Sequence, residues 1–377
     1  MVSQQPPTKL AILGAGTWPK EAHLPALVNL QNKSILKAVY SRSEASATAL
    51  ATSAKEALGL CDLVEVYFEG SVANNLDALL ASDVEGVIIA LPIMKQPELI
   101  RRAWAAGKNV ASEKPIAGDV QAAQDLYALF TEKYEPLGLK WHILENFVHE
   151  PAYVEARDLV SSNTIGKLAF FSYSVCFHVD TQNRFYQTEW RTKPSHEGGF
   201  LLDGGVHHSA ALHLCLPSAP TEISAFASLH KGFLAPSDTL HSIIKTEDGA
   251  VGTFEISFAS SSTHVREELT LVGSTGHIKV SAITAGARQA GFTVDLVGAQ
   301  TQSMFFESRG VEKASLVDKT RREITDRALL QAIECFVDAL RGTASEDQLI
   351  RASAPRATKD VAFILTALNS HGSSMKL

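Results

Sequence analysis

The chain has only four cysteines, Cys61, Cys176, Cys215 and Cys335, scattered without a CxxC pair. That excludes a dense disulfide framework and fits reduced thiols in a cytosol. It has no run of lysine or arginine, and 41 acidic against 34 basic residues give a formal charge of -7. A general attraction to nucleic acid or to an anionic membrane surface is thereby excluded. No apolar run approaches the ~20 residues that span a bilayer, and Met1 to Lys9 lacks the apolar core of a secretory signal. The ending Met375-Lys376-Leu377 differs from the peroxisomal Ser-Lys-Leu at its first position and reads as an ordinary frayed tail. The expected partner is therefore a small molecule, met in the cytoplasm.

What is present is a globular composition, 45% apolar and 20% charged, in 377 residues, too many for one ordinary core. Two domains are expected, 1–147 and 148–377. In the first, β-rich runs at Lys9 to Leu13, Leu36 to Tyr40, Val64 to Phe68, Gly86 to Ala90, Asn109 to Ser112 and Lys140 to Leu144 alternate with helical patterns. This is the signature of βαβ units, an α/β fold with a doubly wound parallel sheet. After about Asn146 the rhythm changes to eight alternating runs between Leu168 and Phe306, joined by turns such as Glu247-Asp248-Gly249. They predict an α+β domain with a large, mostly antiparallel open sheet. Helices at Asp203 to Leu216, Ile324 to Arg341 and Ala354 to Leu368 complete it, the last placed where it can pack back on the first domain.

Three sites carry candidate chemistry in the first domain. Its first strand enters Gly14-Ala15-Gly16-Thr17-Trp18-Pro19, where the glycines permit a tight turn and a close backbone approach, and the following helix offers free N–H groups to a dinucleotide pyrophosphate. The third fingerprint glycine is absent, Pro19 standing instead, and a glycine turn after a strand is common without any ligand, so this motif alone leaves both readings open. The second strand ends Tyr40-Ser41-Arg42. An acid there would hold the ribose 2′-hydroxyl of NAD(H), whereas a hydroxyl and a guanidinium suit a 2′-phosphate, so Ser41 and Arg42 predict NADP(H) in spite of nearby Glu44. The last, Glu113-Lys114-Pro115, closes a strand and fixes a lysine where such sheets bind ligands, with proline stiffening the exit.

In the second domain Asp203 and His207 are four residues apart on an expected helix and share a face. A carboxylate that orients an imidazole suits general acid/base work; a metal site joined by His208 or His213 ranks below it, and a capping aspartate beside a buried histidine is the structural alternative. Upstream, Trp190-Arg191 could line a pocket, and Phe171, Phe177, Phe185 and Phe200 could do so for an aromatic compound.

Together these residues resemble the Gfo/Idh/MocA family, the glucose-fructose oxidoreductase and inositol dehydrogenase group, over nearly the whole chain. The carriers are Gly14-x-Gly16 with His23-Leu24-Pro25-Ala26-Leu27, Leu91-Pro92, Ala106-Gly107-Lys108-Asn109-Val110 leading to Glu113-Lys114-Pro115, Glu145-Asn146, and Trp190-Arg191 with Gly198-Gly199, Asp203 and His207. The stretch from Trp190 to His207 is closest to fungal NADP(H)-dependent members. The resemblance implies a Rossmann domain, then a domain whose open sheet makes a homo-oligomer, a dimer or tetramer. It implies that Lys114, Asp203 and His207 are catalytic and that Lys114, Leu91, Pro92 and Asn146 line the cofactor; with the residues read above, the expected cofactor contacts are Gly14, Gly16, Thr17, Trp18, Ser41, Arg42, Leu91, Pro92, Glu113, Lys114, Asn146, Trp190 and Arg191, and no metal is expected. Two departures stand out: Pro19 replaces a small residue, and Gln96 stands where histidine is frequent. The expected activity is hydride transfer between NADP(H) and a carbonyl or hydroxyl carbon of an aldehyde, ketone or sugar-like compound. The rival is a non-catalytic NADP-sensing regulator of the same fold.

Overall fold

The computed structural model describes residues 5–62, 64–261, 266–285, 288–298, 301–307, 309–314 and 322–377. Met1 to Gln4 of the expected polar N-terminus lie outside them. Contacts divide the chain into two units, one of residues 1–117, 122–146 and 309–357, the other of 118–121, 147–308 and 358–377.

In the first unit the short apolar runs become six parallel strands: β1 (Thr8–Leu13), β2 (Ser34–Ser41), β3 (Glu65–Phe68), β4 (Gly86–Ile89), β5 (Asn109–Glu113) and β6 (Trp141–Leu144). Their order is β3-β2-β1-β4-β5-β6, a doubly wound sheet that reverses direction between β1 and β4. Leu10, Ile12 and Val39 are fully buried and pack with Leu50 and Ala54 of the helix Glu44–Leu58. Ser43 caps that helix by accepting from Ser46 N. The helix Arg327–Arg341, which the periodicity assigns to the second domain, instead lays Leu329, Ile333, Phe336 and Val337 into this core. Its apolar stripe follows a 3.6-residue period that fits either sheet, so the pattern alone does not name its partner.

The second unit holds β7 (Leu168–Cys176), β8 (Pro220–Ser228), β9 (Thr239–Thr246), β10 (Val251–Ser257), β11 (Arg266–Gly273), β12 (His277–Ala285), β13 (Arg288–Val297) and β14 (Gln302–Glu307). A last strand, β15 (Met375–Lys376), joins them in the order β14-β13-β12-β11-β7-β10-β9-β8-β15. Every pair is antiparallel except β7 with β10. The ending expected as a frayed tail is thus an edge strand, Met375 opposite Ile223, because backbone groups at a free sheet edge accept any short extended segment. The sheet presents one buried face, with Phe171, Tyr173 and Val175 of β7 turned inward, and on its outward face Phe170 is 55% exposed. Helices Pro151–Ser161 and Gly199–Cys215 belong to the same unit. Among the described residues no helix is long and apolar enough to cross a membrane.

Candidate active site

Gly14 follows β1 directly with φ of +119°, a region closed to residues with a side chain, and a Cβ there would be driven into the carbonyl oxygen of Ala90 just after β4. The fold itself requires glycine at 14. Gly16 differs, for a Cβ there would meet no atom within 4 Å and its backbone is not in the left-handed region. Packing gives no reason for glycine at 16. Thr17 is exposed beside it, and Pro19 opens the helical turn Pro19–His23, where its missing N–H is tolerated.

Trp18 Nε1 donates to Glu113 Oε1 at 2.8 Å, and the same oxygen meets His23 Nε2 at 2.7 Å with the imidazole fully buried. Glu113 therefore ties the turn after β1 to the end of β5, two strands that are not neighbours. Lys114, half-buried, leaves the sheet from this anchored residue. Ser41 ends β2 and exposed Arg42 follows it; half-buried Leu91 and Pro92 follow β4, and Asn146 follows β6. All the candidate residues of the first unit thus lie at the carboxyl ends of its strands. Gln96, 1% exposed at the start of the helix Gln96–Ala105, finds no partner for either end of its amide among the described residues.

In the second unit the helix expected from Asp203 starts earlier, at Gly199 with φ of +51°. Two glycines hid this start. Asp203 therefore lies a full turn inside the helix and is no capping residue, while His207, on the same face one turn on, is half-buried. Arg191 Nε donates to Asp203 Oδ2 at 2.7 Å, and its guanidinium lies 3.9 Å from the Trp190 ring centre, an aromatic face that favours the cation. The His207 ring stacks on Phe147 with centres 4.9 Å apart.

Behind this face lies a cluster that the sequence reading missed. Glu267 Oε1 accepts from Tyr153 Oη at 2.6 Å and Tyr173 Oη at 2.8 Å and lies 3.2 Å from His208 Nδ1, all four side chains being buried. Burial pushes the Glu267 carboxyl up, yet His208 and the hydrogen bonds outweigh it and hold the group below its ordinary value. Burial, reinforced by Glu267, raises both tyrosines well above theirs. A glutamate at an inward position of β11, in line with Leu269 and Leu271, was the available signal. His213 is held by Asp360 at 2.8 Å. His208 and His213 thus face different carboxylates, and no group of three or more metal-ligating side chains is found among the described residues.

Residues 8–139 match the family model described as an oxidoreductase family with an NAD-binding Rossmann fold, and residues 153–279 match the GFO/IDH/MocA C-terminal domain. The dehydrogenase FPY6 of Fusarium mangiferae is 40% identical over 257 residues, which cover 66% of this chain and 70% of the relative. A dTDP-3,4-didehydro-2,6-dideoxy-alpha-D-glucose 3-reductase of Streptomyces antibioticus is 28% identical, covering 73% and 76%. The crystal structure of an oxidoreductase from Thermotoga maritima superposes with a TM-score of 0.78 at 29% identity, covering 98% of each chain.

Proposed function

The chain belongs to the Gfo/Idh/MocA family of oxidoreductases, and we propose that it transfers hydride reversibly between NADP(H) and a carbonyl or hydroxyl carbon of a small aldehyde, ketone or sugar-like molecule. The observation that carries this is the gathering of Gly14, Pro92 and Lys114 after β1, β4 and β5, neighbours at the reversal of a doubly wound sheet, where such folds take their ligands. Gly16 supports the cofactor: a pyrophosphate needs close backbone approach there, and nothing in the protein does. The names of the Fusarium and Streptomyces relatives agree with a dehydrogenase or reductase.

When bound, the nicotinamide supplies or accepts the hydride. The residues of the chain do the rest. The Lys114 ammonium and the His207 N–H bind the substrate oxygen and stabilise the negative charge that develops on it, more in the transition state than in the ground state. His207 gives that oxygen its proton in reduction and removes it in oxidation, help of a kind that contributes ~10² to 10⁴-fold. Phe147 fixes the plane of the His207 ring, and Arg191 holds the Asp203 carboxylate on the same helical face. Ser41 and exposed Arg42 select the 2′-phosphate of NADP(H). A homo-oligomer through the open sheet is consistent with Phe170, Ile243 and Val251, which are 55%, 60% and 46% exposed on its outward face.

The test pairs two substitutions with NADPH consumption over a panel of aldehydes, ketones and sugars. Lys114→Met is expected to lower turnover by at least ~10²-fold, the size of a lost transition-state contact, while NADPH binding, read by fluorescence, stays within a few-fold. Turnover within tenfold of the parent would sink the role of Lys114. Arg42→Glu is expected to raise KM for NADPH far more than for NADH, and equal effects would refute the NADP assignment. NADPH bound with no carbonyl reduced would favour the sensor instead.

A further inference from the structure

Beside the start of the helix that carries Asp203 and His207, the second unit holds a cavity of about 690 Å³ lined by Tyr186, Ser195, His196, Glu197, Phe233 and Pro236, with smaller neighbours. That volume lies within the range of small-molecule sites, and the cavity is wide open to solvent. Pro236 abuts the first turn of the helix, since a Cβ on Gly199 would come 2.6 Å from its Cδ. The walls are aromatic: Tyr186 and Phe233 meet edge to face with centres 5.1 Å apart. The polar side chains are hydroxyls, one imidazole and one carboxylate. His196 Nδ1 is buried and finds no hydrogen-bond partner among the described residues, while burial holds the imidazole below its ordinary pKa despite the pull of nearby Asp203, which favours the neutral form. Glu197 presents an exposed carboxylate, and among the described residues no lysine or arginine lines the cavity. The nearest cations along the chain do not change this: Lys231 donates to the carbonyls of Val179 and Ser260, and Arg191 is paired with Asp203. Lys193 and Arg184 are exposed and not part of the wall, and the Arg184 guanidinium lies 4.7 Å from the Phe185 ring centre.

We infer that this cavity is the subsite for an uncharged ring bearing a hydroxyl or carbonyl group, stacked on Tyr186 and Phe233 and hydrogen-bonded to His196, and that it rejects phosphorylated, nucleotide-linked and carboxylated compounds. The inference deepens the reaction proposed above and rests on it for the role of the neighbouring helix. The physical reason is a balance of desolvation. An anion entering this wall loses water beside a carboxylate and gains no cation in exchange, whereas a neutral ring loses little and leaves the imidazole satisfied. The discrimination is repulsive as much as attractive.

The experiment measures binding of benzyl alcohol, benzoate and phenyl phosphate to the NADP-loaded protein by saturation-transfer NMR, without any need for turnover. Benzyl alcohol is expected to bind at least tenfold more tightly than either anion. Glu197→Lys should cut that ratio at least tenfold, and Tyr186→Ala should weaken benzyl alcohol at least fivefold in a variant whose circular dichroism matches the parent. Anions that bind the parent as well as benzyl alcohol, or a ratio untouched by Glu197→Lys, would overturn the assignment. If benzyl alcohol shows the expected preference but no neutral carbonyl consumes NADPH, the hydride-transfer reading fails and the neutral subsite stands.

Discussion

The first unit keeps its chemistry at the rim of an apolar sheet, while the second buries charge inside. In β1 and β4 Leu10, Ala11, Ile12, Leu13, Val87, Ile88 and Ile89 are all 0% exposed, because a parallel sheet covered on both faces tolerates little else. Polar side chains there can only emerge after a strand ends, as Lys114 does. In the second unit one sheet face is covered, and its Tyr173 and Glu267 meet His208 of the helix that bears His207, all three buried. The contrast shows two ways of fixing a side chain proposed to act on substrate. One anchors the backbone beside it, as Glu113 does with Trp18 and His23, and the other pins the helix from behind with a buried carboxylate whose Oε1 is shared by Tyr153, Tyr173 and His208.

The strongest way to break this contrast is to empty the buried carboxylate. Glu267→Ala strips Tyr153, Tyr173 and His208 of a shared acceptor, and losing one partner of such a cluster costs about 3–5 kcal/mol. Hydrogen exchange should show β7 and β11 losing protection while β1 and β4 keep theirs. Equal loss in both sheets would mean that the cluster does not act locally.

Acid separates the units next. His142 of β6 is a buried titratable side chain in the first sheet, with burial lowering its pKa from 6.5 to about 4. Between those values the folded state binds fewer protons than the unfolded one, so stability present above pH 6.5 is lost as pH falls towards 4, about 3 kcal/mol in all. Glu267, held below 4.5, contributes stability that is lost only under more acid conditions, as pH falls through its folded value. The first sheet should therefore loosen before the second. Urea unfolding from pH 7 to 4 checks this, and His142→Gln should flatten the loss in that window.

This contrast also decides what could be read from the amino acids. Strand ends are punctuated by glycine and proline, so Gly14, Pro92 and Lys114 announced themselves, and fourteen strands fell close to their apolar runs, whereas the pair Arg309–Ala314 and Arg322–Asp326 did not. The buried cluster left a fainter mark. Its members come from β7, β11 and two helices, and a single inward glutamate in an alternating strand is one polar residue among apolar ones, with partners that only the fold reveals. The cavity aromatics were missed for the same reason: Phe171 is core and Phe200 packs on Phe258, while Tyr186 and Phe233 line the wall. The partner of the helix Arg327–Arg341 was equally hidden, since an amphipathic stripe states that it will be buried and not against what.

The finest test lies within the first unit and separates two glycines that look alike in sequence. Gly14→Ala must adopt φ near +119° and push against the Ala90 carbonyl, a strain of about 1–3 kcal/mol that should lower the melting temperature with or without NADPH. Gly16→Ala meets open space, and removing a glycine's freedom in the unfolded chain should leave stability unchanged or raise it by about 0.4–1 kcal/mol. If the turn serves the pyrophosphate, the same methyl group stands where the phosphate must approach, and the Kd for NADPH should rise about tenfold, equivalent to about 1.4 kcal/mol. Thermal melts without NADPH therefore separate the two variants, and adding NADPH should raise the melting temperature of Gly16→Ala less than that of Gly14→Ala. A Gly16→Ala protein that binds NADPH like the parent would leave this glycine without a purpose and remove the clearest support for a cofactor at the end of β1.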